Sequence, residues 1–251
     1  IEGFSDYIFI VIDMADPAHP REAGRYWLPG MNLAAGAKTN WPTPNGRYGC
    51  HHGVVSGDIA YCAWRDAGIA ILDIADRSAP KLITHKTWSP PFQGGTHNCL
   101  PLTDRDLLLV LDEAVLDGME DGMKPIWVFD IRDKANPISI STFPLPDDKD
   151  YIKVGGHFGP HNIYENRPDG LVDNNRIFST FQNAGIRVFD IANAYQPREI
   201  AAFVPAPPEK MIDPRPNRVP VVHSADVYVD RNGLVYATDF GTGMYILEFE
   251  G

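Results

Sequence analysis

The stretch Asp13-Met-Ala-Asp-Pro-Ala-His-Pro20 is the first of four copies of one eight-residue pattern in this chain. The other copies are Asp73-Ile-Ala-Asp-Arg-Ser-Ala-Pro80, Asp130-Ile-Arg-Asp-Lys-Ala-Asn-Pro137 and Asp190-Ile-Ala-Asn-Ala-Tyr-Gln-Pro197. Their leading aspartates are 60, 57 and 60 residues apart. A period this regular indicates one supersecondary unit that is copied along the chain.

Short runs of apolar and β-branched residues flank each copy, for example residues 69–72 before the second copy and residues 81–85 after it. Such runs, bounded by Gly, Pro and Asp, predict strands. The pattern between them predicts a hairpin connection, because Asp bonds nearby backbone amides and Pro fixes its own φ. Two further strands, residues 52–56 and 59–63, precede the second copy and give four strands per unit.

Four-stranded units at this period are typical of the blades of a β-propeller. We therefore predict an all-β chain in which residues 1–251 form a single propeller domain with about five blades. The first and last blades are expected to be partial, within a ring of six or seven. We expect an N-terminal segment or a second chain to complete the ring.

The strand before the repeated pattern resembles the LVIVD repeat family. Ala70-Ile-Leu-Asp-Ile and Arg187-Val-Phe-Asp-Ile carry the resemblance. It implies the propeller fold and says little about chemistry, because propellers have many unrelated functions.

The composition excludes several classes of protein. A net charge of −11 argues against binding to nucleic acid or to anionic membranes, and no apolar run has the length of a membrane span. Three cysteines are too few for a disulfide-rich scaffold. We therefore expect a small-molecule partner, and the cellular compartment stays open.

A histidine opens the first strand of every unit in which that strand is present. These residues are His52, His97, His161 and His223, with His51 as an alternative to His52. Because the first strands of propeller blades converge on the central axis, we predict that the four imidazoles bind one divalent transition metal. Iron, copper, manganese and zinc all suit neutral imidazole. The competing interpretation is that these histidines are structural positions of the repeat.

A second set of residues is predicted on the second strand of each unit, facing the same end. It holds Arg65, Glu113, Gln182 and Phe240, with Trp64, Asp112, Phe181 and Asp239 beside them. We predict Glu113 or Asp112 as a general base or a partner of a ligand imidazole, and Arg65 as a holder of an anionic group. Gln182 is predicted either to orient the substrate or to complete the coordination shell of the metal. The substrate pocket is predicted from His51, Trp64, Phe181, Phe240 and His157.

Three functions remain open at this point. The leading hypothesis is a metal-dependent oxidoreductase or oxygenase that acts on a small molecule, with an aromatic one suggested by the pocket residues. The second is a metal-dependent lyase or hydrolase in which Glu113 is the general base. The third is a non-catalytic propeller that serves as an interaction scaffold.

Overall fold

The computed structural model describes residues 2–39, 41–42, 46–92, 94–212 and 220–250, and these residues form five antiparallel sheets. The first two sheets contain β1 (Phe9–Asp13) and β2 (Arg21–Tyr26), then β3 (His52–Ser56), β4 (Ile59–Ala63), β5 (Ile69–Asp73) and β6 (Lys81–Lys86). The third contains β7 (Thr96–Leu102), β8 (Leu107–Asp112), β9 (Ile126–Asp130) and β10 (Ile138–Thr142). The last two contain β11 (Arg176–Thr180), β12 (Ile186–Asp190) and β13 (Arg198–Phe203), then β14 (Ser224–Val229), β15 (Leu234–Asp239) and β16 (Gly243–Glu248).

Each copy of the eight-residue pattern forms the hairpin that leads into the last strand of its sheet. In the second copy, Asp73 Oδ1 accepts a hydrogen bond of 2.9 Å from the backbone N–H of Ala75, and Asp76 Oδ1 accepts one of 2.9 Å from Ser78. The other three copies repeat both bonds. The repeated Asp and Asn residues are therefore structural, because their side chains hold the turn locally.

Four apolar clusters lie between consecutive sheets and follow the order of the chain. Residues 107–111 of β8 are all apolar and show why apolar clusters form on both sides of a sheet. Leu107, Leu109 and Leu111 pack toward the fourth sheet, whereas Leu108 and Val110 pack toward the second. Successive side chains of a strand point to opposite faces, so a strand between two sheets is buried on both.

The ends of neighbouring sheets also touch directly. Isolated β-bridges join Arg65 to Thr96 and Gln182 to Ser224. The first links the end of the second sheet to the start of β7, and the second links the fourth sheet to the start of β14. These bridges bring the polar residues at this end of the strands close together.

The fourth sheet lacks the first strand that the repeat predicts. Residues 161–164 run beside β11 and share backbone hydrogen bonds with it, yet their pairing amounts to one isolated bridge, between Ile163 and Ser179, and not to a strand. Pro160 has no N–H to donate, and the N–H of Asn162 bonds the Thr180 hydroxyl instead of a backbone carbonyl. The prediction of an all-β chain of small antiparallel sheets is nevertheless confirmed.

Helix is a minor component of the described residues. α1 (Tyr151–Val154) covers a single turn. No helix in the described ranges has the length and apolar character needed to cross a membrane.

Candidate metal centre

Three side chains converge where the third and fourth sheets meet. His97 is the second residue of β7, and Glu113 directly follows β8, which is antiparallel to β7. The N–H of Glu113 bonds Gly95 at 2.8 Å, so the start of β7 and the end of β8 are held together. His161 joins them from the segment beside β11, where its N–H bonds Thr180 at 2.9 Å.

One ligand atom of each residue lies within 4.8 Å of the other two, which is close enough for the three to share a metal ion. Glu113 Oε1 lies 3.3 Å from His161 Nε2, and Glu113 Oε2 lies 3.6 Å from His97 Nε2. The side chain of His97 is 8 % exposed, and those of Glu113 and His161 are each 14 % exposed. The chemistry of this donor set therefore fits a divalent transition metal.

The hydrogen bonding of His161 leaves one ring nitrogen available to bind a metal. Its Nδ1 lies 2.5 Å from the carbonyl oxygen of Ala225. A carbonyl only accepts, so Nδ1 donates, and the lone pair of a neutral ring then lies on Nε2 beside Glu113. Burial lowers the pKa of His161, but its hydrogen bond to Glu113 and the charge of that carboxylate outweigh burial, and the net pKa is raised.

His97 is held in the neutral form. Burial lowers its pKa far below the ordinary value, and the nearby rings of His161 and His51 lower it further. Its Nδ1 is buried and has no hydrogen-bond partner among the described atoms. A neutral imidazole in this position offers a lone pair to a metal without first releasing a proton.

His51, rather than its neighbour His52, lies against this group. The ring centroids of His51 and His97 are 3.9 Å apart, and His51 Nδ1 lies 3.0 Å from the His97 carbonyl oxygen. Burial, followed by the charge of Arg65, lowers the pKa of His51 to about 4. His52 instead places Nε2 2.5 Å from Glu165, a contact that raises its pKa. The structure therefore does not bring His52 to the other predicted ligands.

His223 also lies apart from the three. Its ring contacts Phe240 and His157, each with centroids 4.9 Å apart. Phe240 also contacts His161, with ring centroids 6.2 Å apart. His157 Nε2 lies 3.3 Å from Asp117.

The residues predicted on the second strands do not all lie at the candidate ligands. Arg65 Nη1 lies 3.8 Å from Glu113 Oε2, which places Arg65 beside the candidate ligands. Gln182 is buried, and its Nε2 donates to the carbonyl of Ala114 at 2.9 Å. Asp112 faces away, toward Thr96 Oγ1 at 2.7 Å and the indole N–H groups of Trp88 and Trp127, each at 2.8 Å. It accordingly holds the residue before His97 and touches no imidazole in these bonds.

Two of the predicted pocket residues belong to the core. Trp64 and Phe181 are 0 % and 1 % exposed and lie in apolar clusters between sheets. Each follows its strand on the apolar face, and its role in a substrate pocket stays a prediction. Phe240, which is 40 % exposed, presents its ring at the surface beside His161.

One feature of the sequence distinguishes His51 from His52, namely a glycine two positions before the histidine. Gly49, Gly95 and Gly159 each precede a histidine by two positions, and those histidines are His51, His97 and His161. The burial of Lys124 near the site has no comparable signal in the sequence. Lys124 is 3 % exposed, and its Nζ donates to the carbonyl of Gly94 at 2.9 Å.

Comparison with known protein families supports the repeat. The family model of the LVIVD repeat matches residues 3–27 and 54–85, which include the first two copies of the eight-residue pattern. No curated protein matches the chain significantly. The LVIVD repeat is therefore shown for these two stretches of the chain.

Proposed function

We propose that the five sheets are blades of one β-propeller domain and that His97, Glu113 and His161 hold a divalent transition metal at the inner ends of the blades. Each apolar cluster lies between consecutive sheets in chain order, as stacked blades require. The β-bridges between sheets occur at the end where the three side chains meet.

We infer further that the site is catalytic and that its reaction is an oxidation of a small molecule. The observation that carries this proposal is the donor set, two imidazoles and one carboxylate within 4.8 Å. Such a set leaves coordination positions open and is typical of non-haem iron(II) oxygenases. When bound, iron(II) would supply the redox chemistry, whereas the protein residues bind, orient and exclude water.

The surroundings of the site support the same assignment. The carbonyl of Ala225 orients the His161 ring, as partners of metal-bound histidines generally do. Arg65 and Phe240 lie beside the ligand group and offer a charged and an apolar contact to a substrate. His51, which stays neutral at physiological pH, covers one face of the His97 ring.

The same donor set also binds zinc in hydrolytic enzymes, so a lyase or hydrolase is the second candidate. Glu113 lies 3.3 Å and 3.6 Å from the two imidazoles. A carboxylate used as a ligand there is not free to act as the general base. The second candidate therefore needs another base, and the oxidoreductase is favoured.

Metal analysis tests the proposal. Protein expressed without added metal is analysed by mass spectrometry and then reconstituted with Fe²⁺ or Zn²⁺ under anaerobic conditions. We expect about one ion per chain, with affinity reduced at least ~10-fold in His97→Ala, Glu113→Gln and His161→Ala. The matched control is His85→Ala, because His85 lies on β6, bonds the carbonyl of Ala67 and is not one of the three candidate ligands.

Iron as the native metal supports the oxidoreductase, and zinc supports the hydrolytic alternative. If neither ion binds, or if the three variants bind as tightly as His85→Ala, the metal site is refuted. A propeller that acts as an interaction scaffold would then be the better explanation.

A further inference from the structure

Arg65 is a charged side chain that the metal site does not itself require. It follows β4 in a left-handed backbone conformation, with φ of 46°, and its side chain is 13 % exposed. Its Nε is buried and has no hydrogen-bond partner among the described atoms. Its nearest acidic contact is Glu113, at 3.8 Å.

Metal binding changes the charge balance around Arg65. Its charged neighbours include Arg47, Glu113, Asp6 and Asp66, and these four side chains are considered with Arg65 as one group. Asp6 pairs with Arg47 at 3.5 Å, and Asp66 accepts the Arg47 N–H at 2.7 Å. Two positive and three negative charges leave the group with a net charge of −1, and a divalent ion on Glu113 changes it to +1. A partly buried site with one uncompensated positive charge favours a monoanion.

The side chains around the site favour an organic anion over an inorganic one. Arginine presents a planar fork of N–H donors that matches a carboxylate. Phe240, which is 40 % exposed, has its aromatic ring 6.2 Å from the ring of His161, centroid to centroid. An apolar or aromatic body can pack on that ring, whereas inorganic anions gain nothing from it.

We infer that the substrate of this site is an organic monocarboxylate and that Arg65 binds its carboxylate group. The inference rests on the proposed metal site and adds to it the chemical class of the substrate. It assigns Arg65 to substrate binding, with Glu113 committed to the metal.

Calorimetric titration of the Zn²⁺-loaded protein with formate, acetate and benzoate tests the inference, with benzamide as the neutral analogue of benzoate. We expect benzoate to bind and benzamide to bind at least ~10-fold more weakly. Arg65→Gln should weaken benzoate at least ~10-fold. Arg65→Lys should have a smaller effect, because lysine keeps the charge and loses the fork.

The chain itself indicates that Arg65→Gln can fold. Gln182 occupies the corresponding position of the fourth sheet with nearly the same backbone conformation, φ of 48°. The matched control is Arg25→Gln, since Arg25 lies on β2 and pairs with Glu22 at the surface. Zn²⁺ affinity is measured for every variant, so that loss of metal is not mistaken for loss of anion binding.

Two failures are distinguishable. If Zn²⁺ binds through His97, Glu113 and His161 but no carboxylate binds, or Arg65→Gln binds benzoate as tightly as Arg25→Gln, the inference about Arg65 is wrong and the metal site stands. If Zn²⁺ does not bind, the proposed function and this inference fail together.

Discussion

Nε2 of His161 lies 3.3 Å from Oε1 of Glu113, so two candidate metal ligands contact each other directly. Glu113 follows the third sheet, and His161 lies beside the fourth, so this contact joins two sheets as well as two ligands. In the metal-free protein the same contact favours the protonated imidazole. Metal and proton therefore compete for one nitrogen atom.

The first prediction is that the stability of the metal-free protein falls as the pH rises above ~6.5, the ordinary pKa of histidine. The folded state raises the pKa of His161, so it binds a proton more tightly than the unfolded state does. The stabilisation is fully present below the unfolded pKa and is lost as pH rises through the folded pKa. Urea unfolding between pH 5 and pH 9 measures this change.

Glu113→Gln should reduce that pH dependence by at most about one proton, because the carboxylate that raises the pKa is removed. It should not abolish the dependence, because Glu165 raises the pKa of His52 and adds a contribution of the same sign. His19→Gln is the control, since His19 is exposed. An unchanged pH dependence in Glu113→Gln would contradict the role assigned to this contact.

The second prediction concerns Gly95, which precedes His97. Its φ is +85°, and an added Cβ would lie 2.9 Å from the carbonyl oxygen of Glu113. Gly95→Ala should cost ~1–2 kcal/mol from backbone conformation alone, and the close contact adds to this and displaces Glu113. Gly57→Ala is the matched control, because Gly57 has φ of +60° and nothing within 4 Å.

Urea unfolding and Zn²⁺ affinity should separate these two glycine variants. Both should lose stability, but only Gly95→Ala should lose metal affinity. Equal loss of stability, with Zn²⁺ affinity unchanged in both, would show that the approach of Gly95 to Glu113 does not position the ligand.

The hairpins could be predicted from sequence because the interactions that form them are local. Asp73 bonds a backbone amide two residues away, and no distant residue is needed. The choice between His51 and His52 is different. Adjacent residues at the start of a strand point to opposite faces. An error of one position in aligning the repeats therefore assigns His52, and not His51, to the metal site.

The same alternation explains why sequence position alone predicts a pocket role for Trp64 and Phe181. They are the sequence neighbours of Arg65 and Gln182, which lie at the polar end of the site. Their own side chains point into the apolar clusters between sheets. The burial of Lys124 could not be predicted from sequence, because it depends on how the segment after Glu113 folds back so that Lys124 Nζ reaches the carbonyl of Gly94.

The third prediction uses Asp112 as a reporter of the core beside the site. Burial raises its pKa to about 6, although hydrogen bonds from Trp127, Thr96 and Trp88 lower it. Ionisation of Asp112 should therefore change the environment of both indoles. We expect a transition in tryptophan fluorescence with a midpoint near pH 6.

Asp112→Asn should abolish that transition and cost ~1.5–3 kcal/mol in the free energy of unfolding, the range for hydrogen bonds to a charged group. Asp130→Asn is a suitable control, since Asp130 is paired with the exposed Arg132. A fluorescence midpoint near pH 6 that persists in Asp112→Asn would assign the transition to another group.

The fourth prediction separates two adjacent histidines. His51→Ala should lower Zn²⁺ affinity ~10–100-fold, the usual effect of removing a residue that holds a metal ligand in place. His51 covers the His97 ring and donates to the His97 carbonyl, so its loss leaves that ligand less constrained. His52→Ala should leave Zn²⁺ affinity unchanged, because His52 is paired with Glu165.

The pH dependence of the free energy of unfolding should change in His52→Ala and not in His51→Ala, the reverse of the order expected for Zn²⁺ affinity. His52→Ala removes a partly exposed ion pair, at a cost of ~1 kcal/mol or less in metal-free protein, and it should remove the contribution of His52 to the pH dependence. His51→Ala should retain that contribution. If instead His52→Ala loses Zn²⁺ and His51→Ala does not, the metal lies closer to Glu165 than to Glu113, and the ligand group proposed from His97, Glu113 and His161 must be replaced.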